Sequence, residues 1–159
     1  MTAKPKFITD ASLAGLAKWL RMLGFDTIIY GGEAGRVMMR LSASQSRIVL
    51  TRRRDMMERQ FSGKILFLPE GGVGAQLLFV ISKLSLKINL KEMHTLCLGC
   101  NEALHPVEKE KVRDRVPQFV FENNSCFNQC DTCQKIYWPG THQLNALHFL
   151  EENHIKISA

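Results

Sequence analysis

This chain has no long hydrophobic run. Its longest candidate, Ala75–Ile81, falls far short of the ~18 apolar residues a membrane span needs, so no membrane-crossing helix is expected. The opening Met-Thr-Ala-Lys-Pro-Lys lacks the apolar stretch and cleavage site of a secretory signal, so none is expected either. Acidic residues are scarce in the first part. Residues 1–90 hold 14 Lys/Arg against 6 Asp/Glu, while residues 91–159 hold 7 against 9. The net charge of +6 therefore sits on the N-terminal part. A positive face of that size concentrates polyanions, nucleic acid first among them. A solvated surface tuned for solubility is the competing explanation. Cysteine is limited to five positions.

Four of those five form two Cys-x-x-Cys pairs, Cys97/Cys100 and Cys130/Cys133. Two thiolates three positions apart on a tight turn face one metal ion, and two such turns complete a tetrahedron. Zinc is the usual occupant of a closed four-sulfur site, and such a site is structural because no position is left for water or substrate. The gap between the pairs exceeds the ~15–20 residues usual for this pattern. An insertion is expected there, for which the charged run Val107–Arg115 is the candidate. Redox cysteines or a disulfide are the alternatives. A redox pair would sit beside a βαβ unit, and neither does. Cys126 is expected to be a buried or spare thiol. Metal-binding cysteines without a secretion signal point to a reducing cytoplasm.

The N-terminal part alternates short β-branched runs with segments of helical periodicity. Strands are expected at Lys6–Thr9, Phe25–Tyr30, Arg47–Thr51 and Lys64–Leu68. The first helix carries Leu13, Leu16, Ala17, Leu20 and Leu23 at helical spacing, with Ser12 as its N-cap and Gly24 as its stop. A second, weaker helix places Val37, Met38 and Leu41 on one face, Arg52–Gln60 is a helix or turn, and Val73–Leu84 closes the set. This pattern predicts an α/β fold with a parallel sheet flanked by helices.

In such sheets function gathers at the carboxyl ends of the strands. Asp10, the Gly31-Gly32-Glu33 corner and the Thr51–Asp55 segment lie at three such ends. Carboxylates converging there would hold Mg²⁺ or Mn²⁺ and activate water against a phosphodiester. A strand-ending aspartate also serves simply as a cap. Arg52-Arg53-Arg54 is the densest basic cluster, and its place at a strand end makes it an expected phosphate contact over a merely solvated cluster. Arg21 is either a phosphate contact or a solvated helix arginine. Trp19 is expected to pack, and Tyr137 and Trp138 either pack the small C-terminal part or stack on bases.

The stretch Phe7–Thr27, with Trp19-Leu20-Arg21 and Gly24-Phe25-Asp26-Thr27, resembles the opening of the Mut-seven C-terminal ribonuclease-type domain family. Arg47–Arg52 resembles a later strand of that family. Cys97-x-x-Cys100-Asn101, Val116-Pro117 and the run from Cys130 to His142 resemble its tail. The resemblance covers about residues 6–150. It implies a PIN-like nuclease domain over residues 1–90, a zinc ribbon over 91–159, and divalent-metal cleavage of RNA. Asp10 fits the family's first acidic position. At the second, near Gly35, only Glu33 is at hand. At the third, an aspartate after Thr-Arg, this chain has Arg53, with Asp55 two positions on.

Two functions from different classes follow. One is a metal-dependent ribonuclease using Asp10, Glu33 and Asp55. The other is a non-catalytic module that binds single-stranded RNA through Arg21, Arg52, Arg53 and Arg54, or that engages a protein partner. Clustered carboxylates favour the first, and Arg53 filling their pocket favours the second. Loss of Cys97 or Cys133 is expected to unfold the C-terminal part and leave the N-terminal sheet largely intact.

Overall fold

Strand β1 (Lys6–Asp10) lies inside a parallel sheet of order β2-β1-β3-β4 in the computed structural model, which describes residues 3–158. β2 is Thr27–Tyr30, β3 Arg47–Thr51 and β4 Ile65–Phe67. Helices α1 (Ala14–Met22), α2 (Arg36–Ser44) and α3 (Arg54–Met57) supply the crossovers, and α4 (Val73–Lys83) follows β4. Phe7 and Ile8 are both fully buried and serve different cores, because successive strand side chains face opposite sides. Phe7 and Leu50 meet Leu16, Leu20, Leu77 and Val80 from α1 and α4. Ile8 and Val49 meet Met38, Met39 and Met56 from α2 and α3. The parallel sheet is thus covered on both faces, as the pattern predicts.

Three local expectations are corrected. Ser12 does not cap the first helix through its own side chain. A 3₁₀ turn, Ala11–Leu13, precedes α1, and Asp10 caps that turn by accepting the Ser12 N–H. β2 starts at Thr27, not Phe25. The Phe25 N–H is taken by Leu20 O at 2.9 Å, which closes α1 instead of opening a strand. On α2 the buried residues are Met38, Met39 and Ser42, and Val37 is 58% exposed.

The C-terminal part holds a second sheet. Strands β5 (Leu104–Val107), β6 (Phe127–Cys130) and β7 (Ile136–Tyr137) pair antiparallel in that order. The insertion between the knuckles forms a 3₁₀ turn, Lys109–Val112, and helix α5 (Gln118–Asn123). This part has a small core of its own, Val112, Phe127 and Ile136. Helix α6 (Thr141–Glu152) then returns to the first sheet's core. Leu150 is fully buried there, and Phe149 stacks on Trp19 at 4.2 Å. Among the described residues no helix is long and apolar enough to cross a membrane.

Gly24 links the two parts. Its φ is +91°, and a Cβ there would stand 2.5 Å from the Glu92 carbonyl oxygen. The left-handed backbone and a backbone clash both penalise any side chain. Gly24→Ala is expected to destabilise the chain by more than about 2 kcal/mol, measured by urea unfolding.

Candidate nucleic-acid interface and metal centre

The strand order creates the first site. The β1–β2 connection leads to one side of β1, and the β2–β3 connection crosses back to the other. In open parallel sheets ligands bind where the direction reverses, which here is at the carboxyl ends of β1 and β3. β1 delivers Asp10 there, β3 delivers Thr51 to Arg54, and the loop after β2 delivers Glu33.

Asp10 is only 9% exposed. Its Oδ1 accepts the Ser12 N–H at 2.8 Å and the Ser12 hydroxyl. Its Oδ2 takes no protein hydrogen bond among the described residues. Arg53 dominates the rest of the corner. Its Nε and Nη2 donate to the two Asp55 oxygens at 3.1 and 2.9 Å, and its Nη1 donates to the Ala34 carbonyl at 2.9 Å. The guanidinium therefore bridges the end of β3 to the loop after β2. Arg59 adds a second cation 3.8 Å from Asp55. The hydrogen bond from Arg53 holds the Asp55 carboxyl below its usual range. In return Asp55 raises the Arg53 pKa, with smaller contributions from Glu33 and Asp10. The three carboxylates do not converge on one point: among the described residues the four cysteines form the only group of three or more His, Cys, Asp or Glu side chains close enough to hold one ion. Tyr30, Glu33, Arg36, Arg53 and Arg59 line a cleft of 430 Å³ at this corner. Arg52 and Arg54, which flank Arg53 in sequence, are exposed.

Arg21 is placed otherwise. It is 5% exposed, and its donors go to the carbonyls of Thr27 at 2.8 Å, Leu98 at 2.7 Å and Gly99 at 3.3 Å. It is neither a solvated helix arginine nor open to a phosphate. It ties α1 and β2 to the first cysteine turn.

That turn belongs to the second site. The sulfurs of Cys97, Cys100, Cys130 and Cys133 all lie within 4.8 Å of one another, with Cys97 and Cys133 3.7 Å apart. Four sulfurs ~2.3 Å from one ion stand about 3.8 Å apart at the corners of a tetrahedron, so the group fits a zinc-sized cation. The two turns match each other. Asn101 and Gln134, each just after the second cysteine of its pair, have φ of 64°. Their N–H groups donate back to the carbonyls of Cys97 and Cys130 at 2.9 and 2.8 Å. Burial pushes the Cys97 thiol up. Hydrogen bonding from the Tyr137 hydroxyl and from the N–H groups of Cys100 and Gly99 outweighs it, giving about 6. Cys133 and burial push Cys100 up to about 12. Without a cation the cluster keeps protons that a dication would displace. Cys126 is exposed and takes no part.

The sequence profile of the Mut7-C RNAse domain matches residues 5–150. The chain belongs to the Mut7-C RNAse domain family. No curated protein and no solved structure matches it. The match spans both sites, so the strand-end corner and the four-sulfur cluster both fall inside the family's domain.

The sequence did not reveal several supporting residues. Tyr137 holds the first turn through its hydroxyl, 3.2 Å from Cys97 Sγ and 3.1 Å from the Leu98 N–H. Asn101 accepts the Thr27 N–H at 2.9 Å and donates to Asp26 at 2.6 Å. Arg47 completes that chain with a 2.8 Å ion pair to Asp26. An asparagine directly after a Cys-x-x-Cys pair was the available clue, since asparagine tolerates the left-handed backbone. Trp19 packs, as expected, against Phe149.

Proposed function

We propose that this chain is an RNA-binding member of its ribonuclease family, with a strand-end corner turned from holding a divalent cation toward holding phosphate. The observation that carries this is Arg53. It stands at the family's third acidic position, neutralises Asp55 with a two-pronged ion pair and reaches across to Ala34 O. A cation in that place repels Mg²⁺ or Mn²⁺ and attracts the phosphates of single-stranded RNA. Exposed Arg52 and Arg54 extend the same positive edge.

Replacing Arg52, Arg53 and Arg54 together by glutamate is expected to weaken binding of single-stranded RNA at least tenfold. It is also expected to flatten the fall of affinity with salt, because fewer counterions are released. Fluorescence anisotropy over a salt series measures both. Unchanged affinity at low salt would place the contact surface elsewhere.

One observation favours a second reading, metal-dependent cleavage. Asp10 keeps one carboxylate oxygen uncommitted at the switch point, and Glu33 is exposed on the neighbouring loop. These two would hold Mg²⁺ or Mn²⁺, which would supply an activated water and charge neutralisation at the phosphodiester. Asp55, tied to two arginines, does not fit that role.

A further inference from the structure

The strand-end corner opens sideways onto helix α2. Between Glu33 and Asp55 the chain carries six arginines and no acidic residue. Two of them, Arg36 and Arg40, stand four positions apart on α2 and so share one helix face. Both are exposed. Arg47, Arg53, Arg59 and Arg113 have carboxylate partners, but Arg36 and Arg40 have none among the described residues. Arg36 also occupies the first position of α2, whose first turn contains no acid and whose N-cap, Gly35, offers no side chain. The positive end of the helix dipole makes that a poor place for a cation. An anion beside it would relieve the repulsion and satisfy free N–H groups together.

Three clefts run end to end along this face. The 430 Å³ corner cleft shares Arg36 and Arg59 with a second cleft of 550 Å³, which adds Arg40 and Phe61. The second shares Ala43 and Ser62 with a third of 1020 Å³, which reaches Lys6 and Lys64 at the amino ends of β1 and β4. Glu33, at the corner, is the one acidic residue lining any of the three. Lys6 and Lys64 likewise have no ion partner among the described residues. A concave run in which Arg36, Arg40, Lys6 and Lys64 stand without ion partners among the described residues focuses its field outward and draws in a polyanion. Ser62 adds a hydroxyl donor, and the half-buried ring of Phe61 adds a face for stacking.

We propose that these clefts are one groove for the backbone of single-stranded RNA, guiding a strand from the amino edge of the sheet past α2 to the Asp10–Arg53 corner. This rests on the corner itself taking RNA. The groove makes a distinct prediction, because it adds contacts only for strands long enough to leave the corner. Nine residues of α2 alone extend about 13 Å.

The test uses the full chain with fluorescein-labelled oligouridylates of about 4 and about 16 nucleotides, and measures affinity by anisotropy across a salt series. The parent is expected to show a steeper salt slope with the longer strand. Replacing Lys6, Arg40 and Lys64, which line the outer clefts and not the corner, together by glutamine is expected to cut that slope by about 2, since each phosphate contact on a single strand contributes about 0.7. The same variant is expected to lose affinity for the longer strand on the order of a hundredfold at low salt, and to bind the shorter strand as the parent does. Arg40→Lys with Lys6→Arg and Lys64→Arg keeps the charge and is expected to keep the slope, which separates charge from folding. Arg53→Gln is expected to weaken both lengths. A glutamine triple variant with the parent's slope on the longer strand overturns the groove. A slope lost in the charge-keeping variant overturns it as well. If Arg53→Gln leaves the shorter strand unaffected while the triple variant still weakens the longer one, the corner fails as an RNA site and the groove stands.

Discussion

Stripping the metal from the four-sulfur cluster is expected to destabilise the sheet as well as the ribbon. The ribbon's own core has three buried residues, Val112, Phe127 and Ile136, too few to hold it without a cross-link. In small zinc modules metal binding contributes on the order of 10 kcal/mol to folding, so its loss is decisive there. The effect then travels by named bonds. Leu98 O and Gly99 O accept from buried Arg21, and Asn101 connects Thr27 to Asp26. A disordered first turn leaves the Arg21 guanidinium buried with two acceptors missing, which costs several kcal/mol by general experience with stranded charges. Helix α6, which follows the second turn, carries Leu150 and Phe149 into the first sheet's core. The separable halves expected from the cysteine pattern do not match these connections. With a strong chelator, or with Cys97→Ser, the whole chain is expected to melt at a temperature lower by about 10 °C or more. Metal analysis of the parent is expected to give about one zinc per chain. A sheet that melts at its original temperature after verified metal loss would disprove the coupling. Absence of zinc, with all five thiols free, would remove the site itself.

Most of the fold was legible because its signals are local and periodic. Leu13, Leu16, Ala17, Leu20 and Leu23 announce α1, and Ile48-Val49-Leu50 announces β3. The four cysteines were legible because a tetrahedral ion leaves few workable spacings. What stayed hidden depends on partners far away in sequence. Arg21 looks like any helix arginine until Leu98 and Gly99, 77 and 78 positions later, come to meet it. Val37 belongs to an apolar run, yet α2 buries Met38 and Met39 and leaves Val37 in solvent. The groove was hidden for a related reason. The absence of acids between Glu33 and Asp55 is visible in the sequence, but the alignment of Arg36, Arg40 and Lys64 into one track depends on how α2 lies over the sheet.

Arg53 stands where the resemblance to the family implies an acidic residue, and its bridge from Asp55 to Ala34 makes that position testable. Arg53→Asp reverses a charge inside a corner that already contains Asp10, Glu33 and Asp55. It removes the two hydrogen bonds that neutralise Asp55, leaving Arg59 at 3.8 Å as its remaining partner. It also places a carboxylate where the resemblance to the family implies a third acidic residue. Hard divalent cations bind where several carboxylate oxygens converge, and the bound ion activates water and neutralises charge at the phosphodiester. The variant is therefore expected to cut a mixed single-stranded RNA pool in Mn²⁺ or Mg²⁺ at least tenfold faster than the parent, and to bind RNA more weakly without the ion. Adding Asp10→Asn is expected to abolish the gain, because Asp10 offers the uncommitted oxygen at the switch point. Gel analysis of labelled RNA with metal and with EDTA reads all three variants. A variant no faster than the parent shows that the corner lacks the geometry of a metal site for reasons beyond Arg53. Cleavage that persists in EDTA, or that ignores Asp10, would rule out the metal mechanism altogether.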